Sequence, residues 1–309
     1  DVVTGEYLKD PNDRMAFVRL MQNQIEKEVI LGEPYKGLKK AQESRLPKGE
    51  RRLRQPFYRD EIAWLYNERG LTSLVQGRVF DALPLFAQAK HIMRHRANVP
   101  DFDGFAHHSA ERRIDLNIAI THIERGNIDR AARILEELIR TGQTRQNTTP
   151  SLVKPYAQGY LAYTEFLRGS VEHAIENFKT TIKYFDERRK LRPVSIFNRY
   201  LAEAYHRLDM FDKANRKIQI AIDAAAHAEQ RDVFYEALLI RAKFIGRAPR
   251  SSEADRTSCI SLVERATGYA RRMGLERLQA LAMVQRAEYL VLEGETESAG
   301  RAAMDACAL

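Results

Sequence analysis

Cysteine is nearly absent: there are two in 309 residues, Cys259 and Cys307, in unrelated segments. That excludes a disulfide framework and a thiolate zinc site. Both residues are expected to be small buried apolar side chains in a reducing compartment. Glycine and proline are scarce too, 16 and 10, which argues against a disordered or fibrous chain and against an all-β one. No apolar run is long enough to cross a bilayer. No basic start followed by an apolar stretch marks a secretory leader, so the expected setting is cytoplasmic. The chain opens on Asp1 and closes on what reads as unfinished helix, the expectation being a piece of a longer protein. Also missing are a Gly-x-x-x-x-Gly-Lys phosphate loop, a Gly-x-Ser-x-Gly elbow, a His-Glu-x-x-His pair and a Gly-x-Gly-x-x-Gly turn. No catalytic residue and no cofactor is expected.

What is present is enough apolar sequence for a core (44%), enough charge for a large wetted surface (30%), and one basic segment. Lys36, Lys39, Lys40, Arg45, Lys48, Arg51, Arg52, Arg54 and Arg59 face only Glu43 and Glu50, a net +7 in 24 residues. The other 285 residues share the remaining +1 of the total +8. The pI near 9.4 is therefore local in origin. Pro34, Gly37, Pro47, Gly49 and Pro56 mark this stretch as loop. It reads as a connector or a dock for an acidic surface. The alternative is nucleic-acid contact through Lys36, Lys39, Lys40, Arg51, Arg52 and Arg54, although aromatics stand only at its ends. Residues 1–33 read as one helix, starting near Asp10 and Pro11.

From residue 60 onward a phrase recurs: a turn residue, four residues, then alanine. It pairs Gly77 with Ala82, Gly126 with Ala131, Gly169 with Ala174, Asp209 with Ala214 and Gly294 with Ala299. Glycine suits the left-handed backbone just past a helix end, and Asp tolerates it better than most residues. The alanine lets the second helix of a pair cross the first closely. Four residues later a bulky apolar residue fills the groove beyond: Phe86, Leu135, Phe178 or Ile218, but only Ala303 in the last copy. Between the fourth and fifth phrases lies a further pair. Its first helix is expected over 234–245 and its second from Ser252 as cap to Gly274 as stop.

These residues resemble the tetratricopeptide repeat family. The first unit matches best, with Trp64 and Tyr66, the first-helix Gly70, the turn Gly77, and Ala82, Phe86 and Ala89 in the second helix. The resemblance covers about residues 60–309 and implies an all-α, right-handed solenoid of about six antiparallel helix pairs. The units are longer than the family's period of about 34, with turns 49, 43 and 40 residues apart and then 85, which is two units. That spacing is similar to the arrays of bacterial regulators, signalling ATPases and kinesin light chain. HEAT-like repeats rank second. The resemblance implies a non-catalytic surface for a protein or peptide, with the first helices lining its concave side. It implies no membrane, and the oligomeric state is not legible.

Candidate contacts fall on those first helices. Tyr156, Tyr160, Tyr163 and Phe166 form a stripe at helical spacing that reads first as inter-repeat core and second as a ligand platform. Arg199, Glu203, His206 and Arg207 share a face, with Tyr200 beside them. That face reads as an ion-pair ladder in solvent or as a grip on a carboxylate. The family's carboxylate clamp is not supported, because Leu116, Gly159 and Glu236 occupy the matching places. His91 and His95 have a metal-compatible i, i+4 spacing, but Lys90, Arg94 and Arg96 crowd them with charge, so no metal is expected. His107 and His108 are read as loop.

Overall fold

In the computed structural model of the chain, the described residues are 63–94, 104–141, 152–246 and 252–308. The expected N-terminal helix and basic connector over 1–59, every cation of the nucleic-acid alternative, and His95 lie outside them. Twelve helices make up the described residues, and no strand occurs among them. They are α1 (63–76), α2 (Val79–Arg94), α3 (Gly104–Glu124), α4 (Ile128–Thr141), α5 (Val153–Leu167), α6 (Val171–Asp186), α7 (Leu191–Arg207), α8 (Phe211–His227), α9 (Arg231–Gly246), α10 (Glu253–Met273), α11 (Glu276–Leu292) and α12 (Thr296–Cys307). Consecutive helices pack on each other along the chain, and first helices also touch the first helices of neighbouring pairs.

The recurring phrase places the turn inside five of the six pairs, while the turns between pairs at Arg189 (φ 52°) and Glu229 (φ 54°) lie outside it. Gly77, Gly126, Gly169, Asp209 and Gly294 all have positive φ, with Asp209 at 57°. Around Gly126 the N–H of Asn127 donates to His122 O (2.8 Å) and that of Gly126 to Ile123 O (2.9 Å), closing the helix end. The alanines five residues after these turns are all buried, from Ala82 to Ala299. Phe86, Leu135, Phe178 and Ile218 are fully buried behind them, whereas Ala303 is exposed. Ser252 caps α10 in a capping box with Asp255, and Gly274 (φ 62°) ends it.

Three expectations are corrected. Helix α3 begins at Gly104, so His107 and His108 lie on a helix. Polar composition alone does not end a helix, and after Gly104 no proline or glycine interrupts this one. Helix α9 begins at Arg231, three residues before the apolar periodicity starts. Cys259 is buried, its thiol donating to Ala242 O (3.4 Å), but Cys307 is exposed. It ends the last helix, which has no following pair among the described residues to cover it.

Apolar side chains gather in three clusters in chain order. One joins α1, α2 and the start of α3. A long one runs from Leu116 to Phe244, through the second pair to the first helix of the fifth. The third joins α9, α10 and α11, and Val75 of α1 packs against it. The array therefore curls until its first pair meets its sixth.

Candidate functional site

The inner wall is built by the odd-numbered helices. Their meeting point is tight. A Cβ on Gly77 would sit 2.6 Å from the backbone N of Arg277, so only glycine fits where the first turn touches α11, and its φ of 97° asks for glycine as well. Arg78 Nε lies 3.7 Å from Glu276 Oε1. Arg277 then reaches across the axis, its Nε donating to Glu124 Oε2 of α3 at 2.8 Å.

Four helices share the resulting charge network. Glu236 of α9 accepts from Arg199 of α7 and from Arg277 of α11, while Arg277 also binds Glu124. Arg199 is 6% exposed, so the network is dry enough for its pairs to matter. Burial by itself would raise the Glu236 carboxyl. Attraction to Arg199 and Arg277, with the Arg277 hydrogen bond, holds it below its usual range instead. Glu203, near the same cations but hydrogen-bonded to neither, is raised by burial. Burial likewise pushes the Tyr160 phenol up to about 12. One layer along, Arg192 Nη2 pairs with Asp232 Oδ2 (3.2 Å), and Gln230 also accepts from Arg192.

Beside the network the inner space widens. A cavity of about 120 Å³ is bounded by the ion pairs and by side chains from all six first helices. It shares Val75, Ile120, Tyr160, Arg192 and Ile196 with a larger cavity of about 480 Å³. Trp64, Leu71, Leu116, Ile120, Tyr156 and Ile196 supply apolar walls to the larger one. Asn67, 2% exposed, accepts from Asn117 Nδ2 at 2.8 Å on its border. The chamber thus offers an apolar interior with a few fixed polar groups, the usual make-up of a ligand site. Among the described residues no group of three or more His, Cys, Asp or Glu side chains could hold a metal ion.

The residues singled out from sequence are distributed between packing and chamber. Tyr156 and Tyr160 line the chamber. Tyr156 also leans on Phe185 (4.8 Å between centroids), and Tyr163 stacks on Tyr200 at 3.8 Å. Phe166 is 7% exposed beneath Arg207, whose Nη1 donates to Phe166 O at 3.3 Å. His206 stacks on Phe244 at 4.4 Å. Arg199 belongs neither to a ladder along its own helix nor to a wet face, because its carboxylate comes from the next pair. Glu236, which spoils the family's clamp pattern, is that partner.

Sequence reasoning missed Arg277, Glu124, Arg192, Asp232, Asn67 and Asn117. The asparagines carried a signal. Trp64, Asn67 and Leu71 fall at i, i+3 and i+7, and Arg113, Leu116, Asn117 and Ile120 at i, i+3, i+4 and i+7, so each set shares one helix face. The Arg277–Glu124 pair spans 153 positions and carried none.

No protein-family model and no curated protein matches the chain. Solved structures do. The Rap conjugation gene regulator of the plasmid pLS20, in complex with the Phr* peptide, is similar with a TM-score of 0.60 at 10% identity. Aspartyl phosphate phosphatase F from Bacillus subtilis is similar with a TM-score of 0.55 at 13% identity. Both matches cover 80% of this chain but only 61% and 59% of those chains, so this chain spans about three fifths of their length. The apo form of the quorum sensor NprR from B. thuringiensis matches over 96% of both chains, with a TM-score of 0.56 at 14% identity.

The fold is a tetratricopeptide-like helical repeat. It is the right-handed solenoid of stacked antiparallel pairs that the turn-and-alanine phrase implies, in six pairs among the described residues. No helix among them is long and apolar enough to cross a membrane.

Proposed function

We propose that this chain is a non-catalytic, peptide-binding repeat module, serving as the sensor or assembly arm of a cytoplasmic regulatory protein. The observation that carries the reading is the inner chamber: the first helices converge on an apolar space of about 480 Å³ bordered by the paired amides of Asn67 and Asn117. An extended peptide presents alternating side chains and unpaired main-chain amides, and such a space accepts both. The likeness of fold to a Rap regulator in complex with a peptide supports this choice of ligand class. The absence of catalysis fits a site whose strongest charges are engaged with one another. Residues 1–59 are proposed as a separate segment, a helix and basic connector, ahead of the array. No observation favours nucleic-acid contact.

The test is titration of the chain with fluorescent peptide pools of about six residues, long enough to span roughly 20 Å extended, with Trp64→Ala and Asn117→Ala as chamber variants. Binding is expected to be saturable and to weaken in both variants while helix content stays unchanged. Equal binding by wild type and both variants removes the chamber from the reading. Charge reversal at Arg199 does not serve, because it breaks a buried pair and tests the fold.

A further inference from the structure

Charge also gathers on the outer side of the array, and there it is not balanced. The face of α3 that borders the chamber holds Arg113, Leu116, Asn117 and Ile120. Its opposite face, with Glu111, Asp115 and Ile118, floors a groove of about 890 Å³ whose sides are α2 and α4. Every acid in this groove is already answered. Lys90 of α2 pairs with Asp115, Arg94 Nε lies 2.8 Å from Glu111 Oε1, and Arg140 Nη2 lies 2.7 Å from Glu137 Oε1. Arg112, Arg130 and Arg133 line the groove too, and among the described residues none of them has a carboxylate within ion-pair distance.

Two hydrogen bonds fix where these cations stand. Arg112 Nη2 donates to Leu138 O at 2.9 Å, near the C-terminal end of α4. Arg133 Nε donates to Asp129 O at 3.4 Å, at the N-terminal end, and Arg130 follows Asp129 directly. Those two carbonyls are nine residues apart, about 14 Å along the helix axis. The positive charge is therefore strung along the groove. Arg130 and Arg133 are exposed, and burial holds Arg112 below its usual value with no anion to offset it. Between the two ends the floor is apolar, with Ile118 and Ile134 half-buried and Leu138 buried. A nucleic-acid backbone suits such a surface poorly. The groove's own carboxylates interrupt the positive line, and no aromatic side chain lines it for a base to stack on.

We infer that this outer groove docks an acidic amphipathic helix of a partner protein. Its apolar stripe rests on Ile118, Ile134 and Leu138, and its carboxylates, set about 14 Å apart, meet Arg112 at one end and Arg130 and Arg133 at the other. A helix is the occupant that fits, because helices α2 and α4 flank the seat, α3 floors it, and residues three and four apart on one helix present both sets on one side. The surface is separate from the inner chamber and does not depend on it.

Fluorescence anisotropy on the full chain tests this with labelled helical peptides of about 18 residues, roughly 27 Å long. One carries a leucine stripe flanked by Glu, one has every Glu replaced by Gln, and one is a scramble of the first that keeps its composition and loses its stripe. The first is expected to bind about tenfold more tightly than either control. Arg130→Glu combined with Arg133→Glu, with helix content checked by circular dichroism, is expected to weaken the Glu peptide about tenfold and leave the Gln peptide unchanged. Arg216→Glu, an exposed charge reversal on α8 outside the groove, is expected to change nothing, and so is Trp64→Ala in the chamber. Equal binding of the Glu peptide and either control overturns the inference, as does an equal loss in Arg216→Glu. Loss in Trp64→Ala without loss in the double variant also overturns it, by placing the peptide in the chamber. A labelled DNA or RNA of about 20 nucleotides that binds more tightly than the Glu peptide and weakens in the same double variant overturns it in favour of a phosphate backbone. Failure of the Glu peptide to bind overturns the outer groove and leaves the chamber's peptide reading untouched.

Discussion

The middle of the array and its closure are held in opposite ways. From the second pair to the fifth, helices meet in chain order through apolar contacts, and one cluster runs unbroken from Leu116 to Phe244. Where the first pair meets the sixth, the contacts are the Gly77 turn, Val75 and the Arg78–Glu276 ion pair, and Arg277 ties the sixth pair across the axis to Glu124 of the second. Apolar stacking between neighbours carries no titratable group and is not weakened by ionic screening. Half-buried ion pairs between helices depend on protonation and on removal of a single partner. The contrast is between an apolar spine and a partly charged seam, and substitutions can break it from either side.

The largest effect is expected in the spine. Phe197 is fully buried against Tyr156, Tyr160 and Phe185, with Gly159 leaving room for its ring. Phe197→Ala should cost about 3–5 kcal/mol in urea unfolding. A cost under about 1 kcal/mol would show that the middle pairs are not the stabilising unit.

Glu236→Gln comes next, at roughly 2–3 kcal/mol, because Arg199 loses its one carboxylate while Arg277 keeps Glu124. The pH profile gives the sharper reading. Glu236 is held below its ordinary value of 4.5 in the folded chain. Its contribution is therefore fully present above that value and is lost as pH falls through the lowered one. Acid unfolding curves of wild type should show this loss and those of Glu236→Gln should lack it. Coincident slopes would exclude Glu236 as the charge that ties the fourth and sixth pairs to the fifth.

A pair of glycine substitutions separates seam from turn. Gly77→Ala meets both positive φ and the Arg277 backbone, whereas Gly169→Ala meets positive φ with nothing within 4 Å. Losses of about 2 and about 1 kcal/mol are expected. Equal losses would mean that the first and sixth pairs are not pressed together in solution. Glu203→Gln should stabilise the chain at neutral pH by less than about 1 kcal/mol. Its raised carboxyl favours folding below its ordinary value and opposes it as pH rises through the raised one. The smallest effect belongs to Asp209→Gly, about 0.5 kcal/mol of added stability from relieving a left-handed aspartate at φ 57°; thermal melts will show it or refute it.

The left-handed turns at Arg189 and Glu229 carry no glycine or aspartate to mark them, whereas the five turn residues of the recurring phrase, their buried alanines and the four bulky residues beyond were legible, because each follows from local helix geometry. So were the cap at Ser252 and the stop at Gly274. Three local readings failed for local reasons: residues 104–109 continue a helix, α9 begins at Arg231 ahead of its apolar periodicity, and Cys307 ends an uncovered helix. The candidate site was half legible. The Tyr156 and Tyr160 stripe marked the chamber wall, but Arg199 could not be read, because whether it faces solvent or Glu236 depends on how far neighbouring pairs rotate about the axis.

Residue order by itself determined that this chain forms helix pairs and where most of the pairs turn, since those choices are settled within about ten residues by backbone conformation and apolar spacing. The tertiary structure decided that the superhelix closes, that Arg277 meets Glu124 across the axis, and that an apolar chamber remains inside. These depend on small inter-pair rotations summed over six pairs, and no single stretch of the chain encodes the sum.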